Sequence, residues 1–366
     1  MKKIFVAFII SIITSLYIFP FNTVSLPSVN TKMAMAALAL PLFIFKGAEQ
    51  RNASLNNSMF GISICGLIVS MIGFASVVIN NTHDYSYTSY FVSMWVWLGG
   101  AYVVIRAIKL AYGKVTFRLI GNFLILVAVI QCFISQLINA NETVANLVGR
   151  FMVSTGFMGI VEGRLYGLGC ALDVAGIKFC AILIITAFFA VSPISKRPNL
   201  ERYIYILAFL IISVFGAMIA RTTTIGIILS IFLWIFLYFK YKFIGAFQKQ
   251  ENLVKVVKTL SIYIILLLPV VIYLYNTNEL FFTNLRFGFE GFFSLVEEGA
   301  WNVKSNKMLV SQIVWPDNFK TWLIGDGYFE FPMNDYYYTG PAYYYYMGTD
   351  VGISLLWLSL LDFTIK

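Results

Sequence analysis

The sequence predicts an all-α, polytopic integral membrane protein with about ten transmembrane helices and one large extracytoplasmic loop. Two observations of composition predict it. Hydrophobic residues make up 60% of the chain and charged residues only 12%, where soluble domains hold roughly 45–50% and 25%. The mean hydropathy is +0.81. The third observation is spacing: the apolar residues come in runs near the length of a bilayer-crossing helix, parted by segments that carry most of the Lys and Arg.

In chain order the expected spans are 4–20, 34–46, 59–80, 90–105, 118–138, 176–193, 203–220, 222–239, 259–275 and 347–361. The first follows Met-Lys-Lys, but no small-residue cleavage site follows Phe19-Pro20, so it reads as an uncleaved helix rather than a signal peptide. The second is short and contains Pro41. Residues 1–275 then form a bundle of about nine spans, 276–346 the large extracytoplasmic loop subdomain, and 347–366 a last span. The sequence stops almost inside that span at LDFTIK, so a truncated chain or a short tenth span is expected.

Charge sets the orientation. With the N-terminus in the cytoplasm, every cytoplasmic segment is basic: Lys2 and Lys3; Lys46 and Arg51; Arg106, Lys109, Lys114 and Arg118; Lys196, Arg197 and Arg202; then Lys240, Lys242, Lys249, Lys255 and Lys258. The net charge of +9 is therefore mainly topological, and nucleic acid is an unnecessary partner. The late loop carries FFTNLRFGFEGFFSLVEEGAWNV, too aromatic for a linker and amphipathic enough for a small helical subdomain on the outer face.

Much familiar chemistry is excluded. Cys65, Cys132 and Cys180 fall in apolar segments and only Cys170 in an outer loop, which makes no disulfide framework and no CxxC spacing. A single histidine, His83, rules out a multi-histidine metal site, and there is no P-loop, GxSxG or HExxH. Neither a metal nor a cofactor is expected.

What remains is a set of outward arginines, on the side where insertion bias disfavours cations. Arg221 lies between the seventh and eighth spans and is followed by three threonines; Arg150, Arg164 and Arg286 occupy the outer loops. A guanidinium at membrane depth costs about 2.5–3.5 kcal/mol at a helix centre unless it snorkels or meets an anion. Arg221 thus reads either as an interfacial anchor or as an anion ligand. Four permanently charged forks on one side match the paired oxygens of a phosphate, so a membrane-embedded anionic substrate is expected. The tyrosines of YYYTGPAYYYYM, 336–347, read as interface residues or as sugar-stacking rings.

Several stretches carry a resemblance. Arg221-Thr222-Thr223 follows a span, a mid-chain loop holds Arg150 and Arg164, a large outer loop comes late, and LIGDGYF (323–329) precedes GTDVGISLLWLSLL (348–361). In this layout, over residues 60–361, the chain resembles the O-antigen polymerase and ligase-like membrane proteins, which have Ser-Arg-Thr-Gly near the first of these positions. The resemblance implies transfer of a glycan from undecaprenyl diphosphate to the sugar of a second lipid-linked unit, or in ligases to a lipid core, with no metal or nucleotide sugar. It implies Arg150, Arg164, Arg221 and Arg286 as diphosphate binders that neutralise the leaving group. Asp350 would take the acceptor proton or serve as an N-terminal helix charge, with Asp326, Asp335, Glu162 and Asp173 as the other carboxylates. Expected partners are the undecaprenyl-diphosphate-linked oligosaccharide, membrane lipids and a chain-length regulator protein; the expected location is the bacterial inner membrane.

Two departures refine this expectation. Where some members have a glycine eleven positions after an arginine in each large loop, this chain has Val161 and Glu297. The ligase branch relies on a loop histidine that is missing here, which favours the polymerase. A flippase would show short loops on both sides and polar groups within its spans. Glycosyltransferases of the other multispan type carry paired acidic residues in the first outer loop, and FNTVSLPSVNTK, 21–32, has none.

Overall fold

The computed structural model describes residues 2–49, 57–83, 85, 88–153, 164–170, 172–304, 306–307 and 319–320. Its elements in chain order are α1 (Lys2–Ile18), β1 (Asn22–Thr23), β2 (Leu26–Asn30), α2 (Thr31–Glu49), α3 (Asn57–Asn80), α4 (Tyr90–Tyr112), α5 (Phe117–Ala140) and α6 (Glu142–Phe151). They continue with α7 (Leu172–Val191), α8 (Pro198–Ile219), α9 (Thr223–Phe243), α10 (Phe247–Thr277), α11 (Glu279–Gly288) and α12 (Glu290–Glu297).

Seven of these helices, α3, α4, α5, α7, α8, α9 and α10, are long and apolar enough to cross a membrane. The chain is a multi-pass helical protein. The expected first and second spans correspond to α1 and α2, whose described apolar stretches are Lys3–Ile18 and Thr31–Leu42. The tenth expected span lies outside the described residues. Among the described residues the strands form a single antiparallel hairpin, β1–β2. Its Thr23 bridges to Met152 just past α6, and Val24 N–H donates to the Phe151 carbonyl at 3.0 Å.

The helices start and stop where local chemistry directs. Thr116 caps α5 by accepting from Leu119 N–H, Asn141 caps α6, Asn278 caps α11, and α8 opens on Pro198. Each supplies a partner for an orphan backbone group, or in the case of proline removes the need for one.

Two compact units divide the chain: Met1–Met35 with Gly100–Trp301, and Ala36–Gly99 with Asn302–Lys366. In the first, α7 packs against α8 and α9. A Cβ on Gly226 would come 2.5 Å from Cys180 Cα, so α9 and α7 meet backbone to backbone at a point that only glycine permits. The core is built from Phe179, Leu183 and Ala187 of α7, Ile206 and Ile212 of α8, Cys132 of α5 and Phe19 after α1. Burial grades outward from it. The α8 span is 61% buried and the α10 span 11%, and α10 presents Ile264, Ile265, Leu266 and Leu268 on its surface, the pattern of a helix whose solvent is lipid. One cation interrupts the α7 span: Lys178, whose ammonium sits 5.5 Å from the Phe19 ring centroid.

In the second unit, α3 and the first part of α4 meet where Ser70 Oγ accepts from Phe91 N–H at 2.8 Å. Gly99 lies against Ala36 of α2, where an added Cβ would approach within 3.1 Å.

Candidate functional site

The α8–α9 turn holds Arg221 rigidly. Ala220 N–H donates to the Gly216 carbonyl, Thr223 N–H to the Ala220 carbonyl, and the Arg221 carbonyl accepts from both Thr224 N–H at 2.9 Å and Thr224 Oγ1 at 2.7 Å. Thr223 Oγ1 donates to the Gly216 carbonyl at 2.9 Å. Behind the turn lies Gly176 of α7, where a Cβ would meet Thr222 Cβ at 2.7 Å. With its backbone tied on both sides, Arg221 projects onto α11. Its guanidinium lies 4.3 Å from the Phe287 ring centroid and forms an ion pair with Glu290 at the start of α12.

Arg164 reaches the same ring from a different segment, 4.5 Å from the Phe287 centroid. Residues 164–170 are anchored at several points. Leu165 is fully buried, and its N–H donates to the Met218 carbonyl at 3.1 Å. The Gln131 side chain brackets Leu168, its Oε1 accepting from the backbone N–H at 3.1 Å and its Nε2 donating to the carbonyl at 2.9 Å. Cys170 closes the segment as a free, buried thiol. Burial pushes its pKa well up, so it is an inert core residue rather than a nucleophile.

The ring both arginines share is positioned by Gly288. A Cβ there would stand 2.8 Å from the Ala217 carbonyl carbon, so α11 rests directly on the α8 backbone. Arg286, one residue before the ring, turns elsewhere. It donates to both oxygens of Glu297 at 2.7 and 2.5 Å, reaches Tyr275 Oη at 3.4 Å, and lies 4.9 Å from the Phe293 centroid. The Arg286 guanidinium holds the Glu297 carboxyl below its ordinary range, and Glu297 and Tyr275 in turn hold the guanidinium's pKa above its own.

Three of the four expected arginines therefore gather at one end of the bundle, on and beside α11. Arg150 does not join them: it is exposed in the last turn of α6. Arg286 sits on α11, a helix within the stretch expected to form a small helical subdomain, where the Asn278 cap and the Gly288 contact fold it against α8. Asp350, Asp326, Asp335, Glu162, Val161 and the tyrosine-rich run lie outside the described residues; Asp173 falls within α7, with its side chain undescribed.

Three participants were missed by sequence reasoning: Phe287, Glu290 and Glu297. Arg286 and Glu290 are four apart, the spacing of an ion pair along one continuous helix. The break between α11 and α12 cancels that pairing and sends Glu290 to Arg221 and Glu297 to Arg286. The eleven-residue offset from Arg286 to Glu297, where a glycine was looked for, was the one available signal.

Chemically the cluster gathers guanidinium forks, whose N–H groups donate to carboxylate oxygens here. Guanidinium forks are held in place by rings and backbone, and two of them are filled by carboxylates that are themselves 32% and 46% exposed. Among the described residues, no group of three or more His, Cys, Asp or Glu side chains converges as a metal would need. Fold and geometry together describe a multi-pass helical membrane protein with a cluster of arginines at one end of its bundle. Comparison with protein-family models, curated proteins and solved structures finds no match for the chain.

Proposed function

We propose that this protein polymerises lipid-linked oligosaccharide repeat units on the outer face of the bacterial inner membrane, with the Arg164–Phe287–Arg221 cluster receiving the diphosphate of the polyprenyl carrier. The observation that supports this reading best is the convergence of two guanidiniums from separate segments on one aromatic ring, with a third arginine one residue from that ring. Carboxylate and phosphate oxygens accept from the same N–H forks, so the carboxylates now on Arg221 and Arg286 mark where phosphate oxygens would bind.

In the transfer, the bond from the anomeric carbon to the diphosphate oxygen breaks as the acceptor hydroxyl oxygen bonds to that carbon. The electron pair leaves with the diphosphate, whose growing negative charge Arg164 and Arg221 offset. The acceptor proton passes to a base, for which Asp350 is the proposed residue. With the N-terminus in the cytoplasm, the α8–α9 turn, α11 and α12 face outward.

Lipid-linked glycans from cells with and without the chain test the activity: loss should leave single repeat units on the carrier in place of long polymers. Undiminished polymer would refute the reading. Cysteine labelling from outside should reach positions in 279–301 and spare 240–258; the reverse would put the arginines in the cytoplasm.

A further inference from the structure

An arginine at a membrane surface is open to any phosphate there, and most of those belong to phospholipids that carry one negative charge on a phosphodiester. A site made only of exposed guanidiniums would fill with them. Here two of the forks already hold carboxylates, and both carboxylates come from one helix. Glu290 is the first residue of α12 and Glu297 the last. Glu290 pairs with Arg221, while Glu297 takes both arms of Arg286 at 2.7 and 2.5 Å. Neither pair is sealed: the side chains of Arg221 and Glu290 are 22% and 32% exposed, those of Arg286 and Glu297 36% and 46%. Such partly exposed pairs hold the carboxylate in place for little net free energy, so a stronger anion can remove it.

We propose that Glu290 and Glu297 are specificity residues, internal counter-anions that make the site select a diphosphate over monoanionic phosphate headgroups. The inference rests on the diphosphate reading above and adds what excludes the competitors. A phosphodiester displacing a carboxylate exchanges one negative charge for one, and gains nothing against the lost pairing. A lipid diphosphate brings more than one charge and two sets of oxygens to Arg221, which shares the Phe287 ring with Arg164, so its Coulombic gain exceeds that of the Glu290 carboxylate it replaces. Selectivity arises from competition within the chain, and the bulk lipid loses to it.

The test uses the full chain in detergent micelles with three probes: farnesyl diphosphate, farnesyl monophosphate and phosphatidylglycerol, with binding counted by native mass spectrometry. Wild type should prefer the diphosphate strongly. Glu290→Gln with Glu297→Gln, which keeps shape and removes charge, should raise binding of the monoanionic phosphatidylglycerol by roughly tenfold, a difference of about 1.4 kcal/mol, and lower the diphosphate-to-phosphatidylglycerol ratio accordingly. The monophosphate, a monoester of about −1.5 to −2 charge, should fall in between. Glu297→Asp alone should keep the ratio. Retained diphosphate binding in the double variant reports that the site is still folded. If the diphosphate binds both proteins with an unchanged ratio, the filter is refuted while the diphosphate site stands. If wild type binds none of the three, the diphosphate reading falls and the filter with it.

Discussion

The two ends of α8 carry the same trio, an arginine against an aromatic ring with a glutamate on its fork, and they differ in how closed they are. At the N-terminal end Arg118 lies 4.6 Å from the Phe189 centroid and pairs with Glu201. At the C-terminal end, about 33 Å away along a 22-residue helix, Arg221 lies against Phe287 and pairs with Glu290. The first trio is saturated. Arg118 also donates to the Ser192 carbonyl, and Glu201 accepts from Ile194 N–H at 2.9 Å and Ser195 N–H at 2.7 Å, while Tyr205 Oη bonds Asn122 at 2.7 Å. Its charged side chains are 17% and 15% exposed. That is a clamp closing the α7–α8 loop. The second trio shares its ring with another arginine and leaves its carboxylate a third open to the surface. The lesson is that an arginine's role is read from how far its pair is shut away from the surface. Both trios look alike until the exposure of their charged side chains is compared.

The largest expected effect lies at the saturated end. Glu201→Ala strands Arg118 and two loop N–H groups, which should cost about 2–4 kcal/mol of stability. Glu290→Ala should cost under about 1 kcal/mol, because its pair is partly exposed. Thermal unfolding of the two variants in detergent decides; equal losses would erase the distinction between clamp and exchangeable pair.

Activity should invert that order. Arg221→Ala should abolish or sharply reduce polymer at normal protein level, Arg221→Lys should recover part of it, and Arg150→Ala should have the mildest effect, since Arg150 stands apart from Phe287. Polymer length profiles from cells carrying each variant measure this. A stronger loss with Arg150→Ala than with Arg221→Ala would move the site to α6.

The smallest effect is one of pH. Hydrogen bonding to Arg286 depresses the folded-state pKa of Glu297 below its ordinary 4.5, so the pair's contribution is present above the unfolded value and disappears as pH falls through the depressed one. Hydrogen exchange of the α12 amides should therefore stay slow down to that ordinary value and quicken only below it. Loosening already near neutrality would mean that the pair does not hold α12.

Hydrophobicity is additive along the chain, so the membrane class and the seven helices long and apolar enough to span were legible without coordinates. So was the placement of Arg221 at a turn between two apolar runs. Pairing is not additive. Which glutamate serves which arginine depends on a break after Gly288, and that break matters because glycine lets α11 settle on Ala217 and brings Phe287 beneath Arg164 and Arg221. Arg118 and Arg202 read as topological charge in the sequence, yet they bind Glu201 and the Asn199–Asn252 pair respectively. A charge's sign and number are properties of the residue, whereas its partner is chosen by which helices share a face, and only the tertiary structure makes that choice.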